Sequence, residues 1–412
     1  MDNLNATPLA NRFTIGIFGR RNVGKSSLLN ALTGQNIAVT SEVAGTTTDP
    51  VSKAMELLPL GPVVLFDTAG LDDIGELGML RIEKTYEVLR KCNLALVVAD
   101  MERGITGFET DFIEELKRRK IPCICVLNKW DKRLHDTKVL EQVRQAVNIP
   151  LVCTSAVNDI GIDELKQQII ANANREDIEP PLVGDLIKTG DIVVLVTPID
   201  KSAPKGRLIL PQQQTIRAII DCNAIALVTK ENELKLTLES LKKRPAMVIT
   251  DSQAFHKVAS DTPPEIPLTS FSILFARQKG DLVEMVRGIK RLERLKEEDK
   301  VLIVEGCTHH RQEEDIGKVK IPRWISQIAG KEILFAWASG AHYPKNLSEY
   351  AVIVHCGGCM LNRREMQYRI EKAREEGVFI TNYGLLIAYA MGILPRALEP
   401  FPAAGLALAN PE

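Results

Sequence analysis

Two short cysteine–histidine motifs lie in the last third of the chain. The first is Cys307-Thr308-His309 and the second is His355-Cys356-Gly357-Gly358-Cys359. Thiolates and imidazoles are common ligands of zinc, and thiolates hold iron–sulfur clusters. The Cys-x-x-Cys spacing allows both thiols of the second motif to bind one metal centre, and the intervening glycines permit a tight turn. The two motifs therefore indicate a metal site.

A phosphate-binding loop is indicated near the N-terminus. The apolar strand pattern FTIGIF, at 13–18, is followed by a Gly/Lys-containing loop and then by a helical stretch. In such a loop the backbone N–H groups wrap the phosphates, the lysine neutralises the β- and γ-phosphates, and a serine hydroxyl binds magnesium. The pattern assigns these roles to Gly19, Asn22, Gly24, Lys25, Ser26 and Ser27.

Magnesium and the γ-phosphate are expected to contact two further segments. Asp67-Thr68-Ala69-Gly70 follows an apolar strand, so that Asp67 can hold magnesium through water while the Gly70 N–H contacts the γ-phosphate. Thr47 lies in a threonine-rich segment, and we expect it to close on magnesium when the γ-phosphate is present. Lys25, Thr47 and Gly70 are the predicted catalytic residues.

The base is predicted to be guanine. Asn128-Lys129-Trp130-Asp131 follows a second strand, and Asp131 can accept hydrogen bonds from guanine N1–H and from the exocyclic amine, which adenine does not supply in this arrangement. Ser155 and Ala156, in a Thr-Ser-Ala run, complete the expected base pocket.

These motifs, in this order, resemble the translation-factor-related small GTPases, in the branch that includes the tRNA-modification GTPase MnmE and the ribosome-assembly GTPases. Leu71 stands where Ras-like proteins carry a water-positioning glutamine, so slow or assisted hydrolysis is expected, unless Leu71 is only a packing residue. Asn22 matches the members whose catalysis uses potassium, although a loop-stabilising hydrogen bond is the alternative.

The elements around these motifs predict an α/β fold: a P-loop GTPase domain followed by two smaller α/β domains with mainly parallel sheets. We place the GTPase domain at 1–175, a dimerisation domain at 183–260 and the cysteine domain at 266–412. Cys307 and Cys356 each directly follow a predicted strand. The carboxyl ends of such strands form the binding crevices of open α/β sheets, so the two loops are expected to meet.

Three interpretations of the cysteine set remain open from spacing alone. Structural zinc fits three cysteines and one histidine. A thioredoxin-type Cys-x-x-Cys leaves Cys307 and the histidines unexplained. An iron–sulfur cluster with three thiolates and an open fourth position accounts for the cysteine number and the histidines together, and we favour it.

Composition limits the partners and the compartment. Lys+Arg of 52 against Asp+Glu of 53 gives a formal charge of -1, so neither nucleic acid nor an anionic membrane is an expected partner. Neither a signal peptide nor a membrane-spanning stretch is recognisable in the sequence, and the eight cysteines fit reduced thiols and metal binding, so we expect a cytoplasmic protein.

Over its whole length the chain resembles the HydF family of GTPases, which act in FeFe-hydrogenase maturation and carry Cys-x-His followed by His-Cys-x-x-Cys. The resemblance implies a 4Fe-4S cluster on Cys307, Cys356 and Cys359 with an exchangeable fourth ligand. His309 and His355 match the family's histidines, and Glu313 or Glu314 could also fill the open position.

The resemblance also implies a homodimer that serves as scaffold or carrier for a two-iron precursor. Its expected partners are two radical-SAM maturases and the apo-hydrogenase. Its expected nucleotide cofactors are GTP or GDP with Mg²⁺, and K⁺ is a further candidate. The alternative from another class is a ribosome- or RNA-associated GTPase with a structural zinc domain. The near-neutral charge disfavours that alternative.

Overall fold

The structure is a computed structural model. It describes residues 7–34, 50–72, 76–133, 140–141, 143–144, 147–173, 180–198, 208–306, 316–340 and 343–410. The chain divides into two compact units, Met1–Ile178 and Glu179–Glu412. Among the described residues, no helix combines the length and the apolar composition that crossing a membrane requires.

A six-stranded sheet forms the centre of the first unit, in the order β2-β3-β1-β4-β5-β6. All neighbouring strands are parallel except the edge strand β2, which pairs antiparallel with β3. The interior strands are almost wholly apolar because helices cover both faces of such a sheet. The strands are β1 Phe13–Gly19, β2 Val51–Leu57, β3 Gly61–Asp67, β4 Leu94–Asp100, β5 Cys123–Asn128 and β6 Leu151–Cys153.

Helices on the two faces of this sheet bury separate apolar clusters. Residues alternate between the faces along each strand, so that Ile15 and Ile17 join one cluster while Phe18 joins the other. Short 3-10 turns occur at Leu9–Asn11 and Trp130–Arg133. The helices of this unit whose bounds the structure describes are Lys25–Thr33, Glu76–Lys91, Gly107–Arg118 and Ile162–Asn172.

The second unit contains two four-stranded sheets whose observed pairings are all parallel. Their orders are β10-β9-β7-β8 and β12-β11-β13-β14. The first sheet comprises β7 Ile192–Val196, β8 Ile225–Thr229, β9 Met247–Thr250 and β10 Leu268–Ser270. The second comprises β11 Lys300–Glu305, β12 Leu334–Ser339, β13 Val352–His355 and β14 Phe379–Asn382.

One continuous apolar core connects both sheets of the second unit, from Leu182 to Ala404. The helices that enclose it are Leu210–Asp221, Leu234–Ser240, Phe255–Asp261, Phe271–Lys279, Leu282–Leu292, Ile321–Ala329, Arg363–Glu375, Tyr383–Ala390, Leu394–Ala397 and Pro402–Ala409. A 3-10 turn at Ser252–Ala254 and a π-helical turn at Ile316–Lys320 precede two of these helices. The predicted fold class is therefore confirmed. The exact domain boundaries stay predictions, because the two smaller sheets share a single core.

Candidate functional site

Lys25 lies at the start of the first helix and is buried at the centre of the phosphate loop. Its ammonium donates to the carbonyl oxygens of Gly19 at 3.1 Å and Arg20 at 2.7 Å. The lysine therefore sits inside the loop, near the helix N-terminus that follows Gly24, where N–H groups and the helix dipole favour phosphate.

Gly24 requires a backbone that only glycine adopts easily. Its φ is +93°, and a Cβ there would lie 2.3 Å from the side-chain nitrogen of Asn128. That same Asn128 amide donates to the carbonyl oxygen of Val23 at 3.0 Å. The phosphate loop and the base motif are thus packed directly against each other.

Asp67 and Ser26 meet at the position expected for magnesium. The Ser26 hydroxyl donates to Asp67 Oδ2 at 2.5 Å. Burial raises the pKa of the Asp67 carboxyl, while the hydrogen bond from Ser26 and the charge of Lys25 lower it. Asp67 Oδ1 is buried and has no hydrogen-bond partner among the described residues. A buried, unsatisfied carboxylate oxygen beside a serine hydroxyl fits a hydrated divalent cation.

The base motif is held in place by side-chain hydrogen bonds. Asn128 Oδ1 accepts from the Thr154 hydroxyl at 3.2 Å and from the Ala156 N–H at 3.3 Å. The Ser155 hydroxyl donates to Asp131 Oδ1 at 2.5 Å, which orients that carboxylate. Lys129 Nζ donates to the carbonyl oxygen of Asn22 at 2.6 Å. The residues predicted to recognise guanine therefore converge on the phosphate loop.

A cavity of about 590 Å³ lies over the phosphate loop. Its lining includes Lys25, Ser26, Ser27 and Asp67 from the predicted set, together with Arg81, which the sequence patterns did not single out. Its volume is within the usual range for small-ligand sites. Gly70 also lines the cavity, and a Cβ on it would come 2.4 Å from Arg21 Cγ.

Two predictions about the switch segments have different outcomes. Thr47 lies outside the described residues, so its predicted role is still a prediction. Leu71 packs against the apolar cluster that contains Phe18, and its N–H donates to the Gly19 carbonyl oxygen at 3.4 Å. The packing alternative for Leu71 thus matches the observed contacts.

In the second unit, Cys356 directly follows β13, whose neighbour β11 ends beside it. Its sulfur accepts hydrogen bonds from the N–H groups of Gly306 at 3.0 Å and Gly358 at 3.4 Å. Burial raises the pKa of the Cys356 thiol, and these two N–H donors lower it. Gly306 immediately precedes Cys307, so the described end of the first cysteine loop contacts the second loop, as expected.

Cys359 is half-buried at the other end of the Cys-x-x-Cys turn. Burial raises its pKa, and the charge of Lys279 lowers it. Backbone N–H groups directed at cysteine sulfurs and a nearby cation suit a thiolate-bound metal centre, because both stabilise negative charge on sulfur. The donor set of this turn therefore fits either zinc or an iron–sulfur cluster.

His355, predicted as a candidate metal ligand, is fully buried, and both of its ring nitrogens are engaged. Nδ1 donates to the Cys356 carbonyl oxygen at 2.8 Å. Nε2 faces Arg369 Nη1 at 2.9 Å, and because arginine is a donor, Nε2 must accept. Burial and then the Arg369 charge lower the pKa of His355 to about 3. Both ring nitrogens of His355 are therefore occupied by hydrogen bonds in this arrangement, and its role as a metal ligand stays a prediction.

The remaining predicted metal ligands, Cys307, His309 and Glu314, lie outside the described residues. Within the part of the chain that the structure describes, no three His, Cys, Asp or Glu side chains form a metal-holding group. Three further residues of this site, Gly306, Lys279 and Arg369, lie outside the sequence motifs. Only Arg369 had a sequence signal, because Glu365 lies four residues before it on one helix.

Three protein-family models match the chain. A model described as "50S ribosome-binding GTPase" matches residues 14–129. A model described as "Hydrogen maturase F dimerization domain" matches residues 182–280, and one described as "Hydrogen maturase F tetramerization domain" matches residues 283–400. The N-terminal domain is thus a GTPase domain, and the rest of the chain carries two oligomerisation domains of hydrogen maturase F.

The curated relatives are GTPases that match less than half of the chain. GTPase Der of Wolinella succinogenes is 40% identical over 165 residues, covering 38% of this chain and 35% of the relative. The tRNA modification GTPase MnmE of Helicobacter acinonychis is 34% identical over 173 residues, covering 41% of this chain and 38% of the relative. The chain therefore spans only about a third of the length of the curated relatives it matches.

Solved structures also align with part of the chain. Era in complex with MgGDPNP and a 16S ribosomal RNA segment has a TM-score of 0.36 and 21% identity, covering 53% of this chain and 93% of that one. The G domain of the T. maritima FeoB transporter has a TM-score of 0.31 and 25% identity, covering 40% of this chain and 100% of that one. TM-scores this low support no functional inference.

Proposed function

The chain belongs to the HydF family of hydrogenase maturation GTPases, and we propose that it is a GTP-hydrolysing scaffold that holds a 4Fe-4S cluster. In this role it carries a two-iron precursor and delivers it to apo FeFe-hydrogenase. The proposed partners are a second copy of the chain, two radical-SAM maturases and the apo-hydrogenase.

The observation that carries the cluster proposal is the environment of Cys356. Two backbone N–H groups are directed at its sulfur, one from its own turn and one from Gly306, which is next to Cys307 in sequence. Hydrogen bonds to the sulfurs are one of the ways in which proteins tune iron–sulfur centres. Cys307, Cys356 and Cys359 are therefore the proposed thiolate ligands. When bound, the cluster supplies iron with an exchangeable fourth position.

In this proposal the fourth ligand of the cluster is not His355, the last residue of β13. His355 is committed to Cys356 and Arg369, so His309, Glu314 or an exogenous ligand is favoured. The role left to His355 is to fix the Cys356 carbonyl group. It thereby sets the direction in which the Cys-x-x-Cys turn leaves the sheet.

In the nucleotide site, Lys25 holds the β- and γ-phosphates, and Ser26 with Asp67 holds Mg²⁺, which neutralises the phosphates. Ser26 and Asp67 already lie within hydrogen-bond distance of each other. Asp131 and Asn128 orient guanine. The Gly70 N–H and Thr47 respond to the γ-phosphate. Slow hydrolysis remains part of the proposal, because a Leu71 that packs in the apolar cluster still offers no polar group to orient the attacking water. K⁺ beside Asn22 is the proposed accelerator.

GTP acts as a switch in this proposal, since nothing in the cysteine domain requires phosphoryl transfer. The GTP-bound state is proposed to change the affinity for the maturases or for the second copy of the chain. A pull-down titration of each maturase against protein loaded with GDP or with a non-hydrolysable GTP analogue tests this role. Equal affinities in the two states would contradict it.

The first experiment is a count of iron, sulfide and zinc per chain after anaerobic reconstitution, with an EPR spectrum of the reduced protein. About four irons and four sulfides are expected in the wild type. Cys356→Ser and Cys307→Ser should each lose or alter the signal. Cys222→Ser is the matched control, because Cys222 is a partly buried thiol of the same unit outside the motifs.

One zinc and no sulfide in the wild type would reject the cluster and favour the structural-zinc alternative. Iron retained at full occupancy with an unchanged spectrum in both motif variants would reject the assigned ligands. Loss of iron in Cys222→Ser as well would show that the effect is unspecific.

A further inference from the structure

Lys279 is the last residue of the helix Phe271–Lys279, and its side chain is only 1% exposed. A lysine is rarely buried to this extent, because removing its ammonium from water is unfavourable unless polar groups replace the water. Its position is also far in sequence from the cysteine motif that it contacts. The contacts that compensate this burial therefore indicate what the residue does.

The ammonium of Lys279 is directed at the Cys-x-x-Cys turn. It donates to the carbonyl oxygen of Cys359 at 3.1 Å and to that of Leu361 at 2.8 Å. It also lies 5.4 Å from the centre of the Phe275 ring, in a cation–π contact. One buried cation thus binds the backbone on both sides of Met360, immediately after the second cysteine.

Further hydrogen bonds fix the helix end relative to this turn. Gln367 Nε2 donates to the carbonyl oxygens of Lys279 at 3.3 Å and Gly280 at 3.0 Å, and an Arg363 guanidinium nitrogen donates to Gln278. Gln367 and Arg363 belong to the helix that follows the cysteine turn. These contacts hold the end of the helix, and with it Lys279, against the cysteine turn.

A fixed positive charge beside a cysteine ligand should change the reduction potential of the bound cluster, and elementary electrostatics gives the direction of the change. A cluster held by three thiolates becomes more negative when it takes up one electron. A nearby buried cation stabilises that more negative state, so it raises the reduction potential.

We propose that Lys279 is a positioning residue of the cysteine-bound centre, which orients Cys359 through two backbone carbonyl groups and raises the reduction potential of the centre. This inference rests on the proposed cluster site. It assigns to a residue of the segment matched as the dimerization domain a direct influence on the cysteine turn of the segment matched as the tetramerization domain.

The test is a potentiometric titration of the reconstituted full-length protein with dithionite, which adds one electron per cluster, monitored by EPR. Lys279→Met keeps the apolar stem but removes the charge and the donors. We expect its reduction equilibrium to shift at least tenfold towards the oxidised state, which corresponds to about 59 mV for one electron. Lys279→Arg retains the charge and should titrate close to the wild type.

Lys331→Met is the matched control, because Lys331 Nζ also donates to a backbone carbonyl oxygen, that of Leu295 at 3.2 Å, away from the cysteine turn. Its potential should equal that of the wild type. If Lys279→Met does not fold, Lys279→Gln takes its place, since the amide is neutral but can still donate one hydrogen bond. A purely structural role would reduce the iron content without shifting the potential of the cluster that remains.

The metal-free protein provides a second readout. The Leu361 N–H donates to the Gly358 carbonyl oxygen at 3.0 Å and closes the cysteine turn. Its hydrogen exchange should be faster in Lys279→Met than in the wild type and in Lys331→Met. An unchanged midpoint potential in Lys279→Met and Lys279→Gln would overturn the inference while leaving the cluster proposal intact. A wild type that binds no iron–sulfur cluster would instead reject the proposed function itself.

Discussion

The side-chain amide of Asn128 donates a hydrogen bond to the backbone carbonyl oxygen of Val23 at 3.0 Å. The two residues are far apart in sequence, at the end of β5 and within the phosphate loop. A Cβ on the adjacent Gly24 would collide with the same amide nitrogen. The base-recognition motif and the phosphate loop therefore act as one structural unit, and a change in either should affect both.

The first prediction concerns Gly24→Ala. It combines the unfavourable φ of +93° with a Cβ only 2.3 Å from Asn128 Nδ2. We expect at least a tenfold loss of GDP affinity, roughly 1.4 kcal/mol or more, measured by fluorescent-nucleotide titration.

Gly104→Ala is the control, because Gly104 also has a positive φ, +66°, but no described atom lies within 4 Å of its Cβ position. It should keep its nucleotide affinity and lose only about 1 kcal/mol of stability. Equal losses of affinity would contradict the predicted collision.

The second prediction concerns base specificity. Asp131→Asn should weaken GTP binding by roughly a hundredfold, because hydrogen bonds to a carboxylate contribute about 1.5–3 kcal/mol each. Xanthosine triphosphate should then bind better than GTP, since an amide can donate to the xanthine C2 carbonyl group. Competition against a fluorescent nucleotide measures both affinities. Asp163→Asn, on the exposed start of another helix, is the control. A variant that still prefers GTP would reject Asp131 as the specificity residue.

The third prediction is a pH dependence in the GTPase domain. Burial, and then the neighbouring Cys123, raise the pKa of the Cys125 thiol from 9.0 to about 12. The unfolded chain therefore releases this proton at lower pH than the folded chain. The stability is fully present below about pH 9 and declines as the pH rises towards the folded pKa, by about 2 kcal/mol between pH 9 and pH 11.

Urea unfolding at several pH values checks this slope. Trp130 reports on the GTPase domain once Trp324 and Trp337, the other two tryptophans, are replaced by phenylalanine. Cys125→Ala in this background should show a smaller loss of unfolding free energy above about pH 9. Cys222→Ala should leave the slope unchanged. Identical slopes with and without Cys125 would refute the assigned pKa.

The fourth prediction concerns the ion pair between Arg369 and Glu365, which is 2.9 Å long, with side chains 1% and 2% exposed. Arg369→Met leaves a buried carboxylate without its cation and His355 Nε2 without its donor. We expect a loss of about 3–5 kcal/mol in the unfolding free energy of the second unit. Replacing Glu365 by Leu in the same chain should restore part of it.

Lys300→Met is the control for this loss, because its pair with Glu349 has the same 2.9 Å separation but is about half exposed on both sides. It should change stability little. Trp324 and Trp337 fluorescence follows the unfolding of the second unit. Similar destabilisation by both substitutions would mean that burial does not determine how much each ion pair contributes to the unfolding free energy.

The sequence predicts the elements that carry the expected nucleotide site because the residues are consecutive in short motifs with fixed relations to strands. The roles of those residues stay predictions. Glycines, Lys25 and Ser26 must follow a strand and begin a helix, and they do. Asp67 likewise ends its strand. Local geometry therefore carried the prediction. Thr47 lies outside the described residues, and its role stays a prediction.

The cysteine site was only partly predictable because its supporting residues are distant in sequence. The spacing of the cysteines predicted the meeting of two strand ends, and the hydrogen bond from Gly306 to Cys356 agrees with it. The spacing could not show that His355 would be buried against Arg369, or that Lys279 would reach Cys359. Those contacts are set by the tertiary packing of separate helices. A single sequence does not show which residues of two distant helices meet.

The shared core of the second unit has an evolutionary consequence. The first matched hydrogen maturase segment ends at Gly280, and the second begins at Val283. A methyl group at Gly280 would lie 2.9 Å from Met285 Cε and 3.3 Å from Ile370 Cδ1, so even this junction is tightly packed. Recombination between relatives at this point would join two half-cores shaped by different substitutions. We therefore expect the two segments to be inherited together. Substitutions in the core residues of one segment should be accompanied, in the same lineage, by substitutions in the core residues of the other.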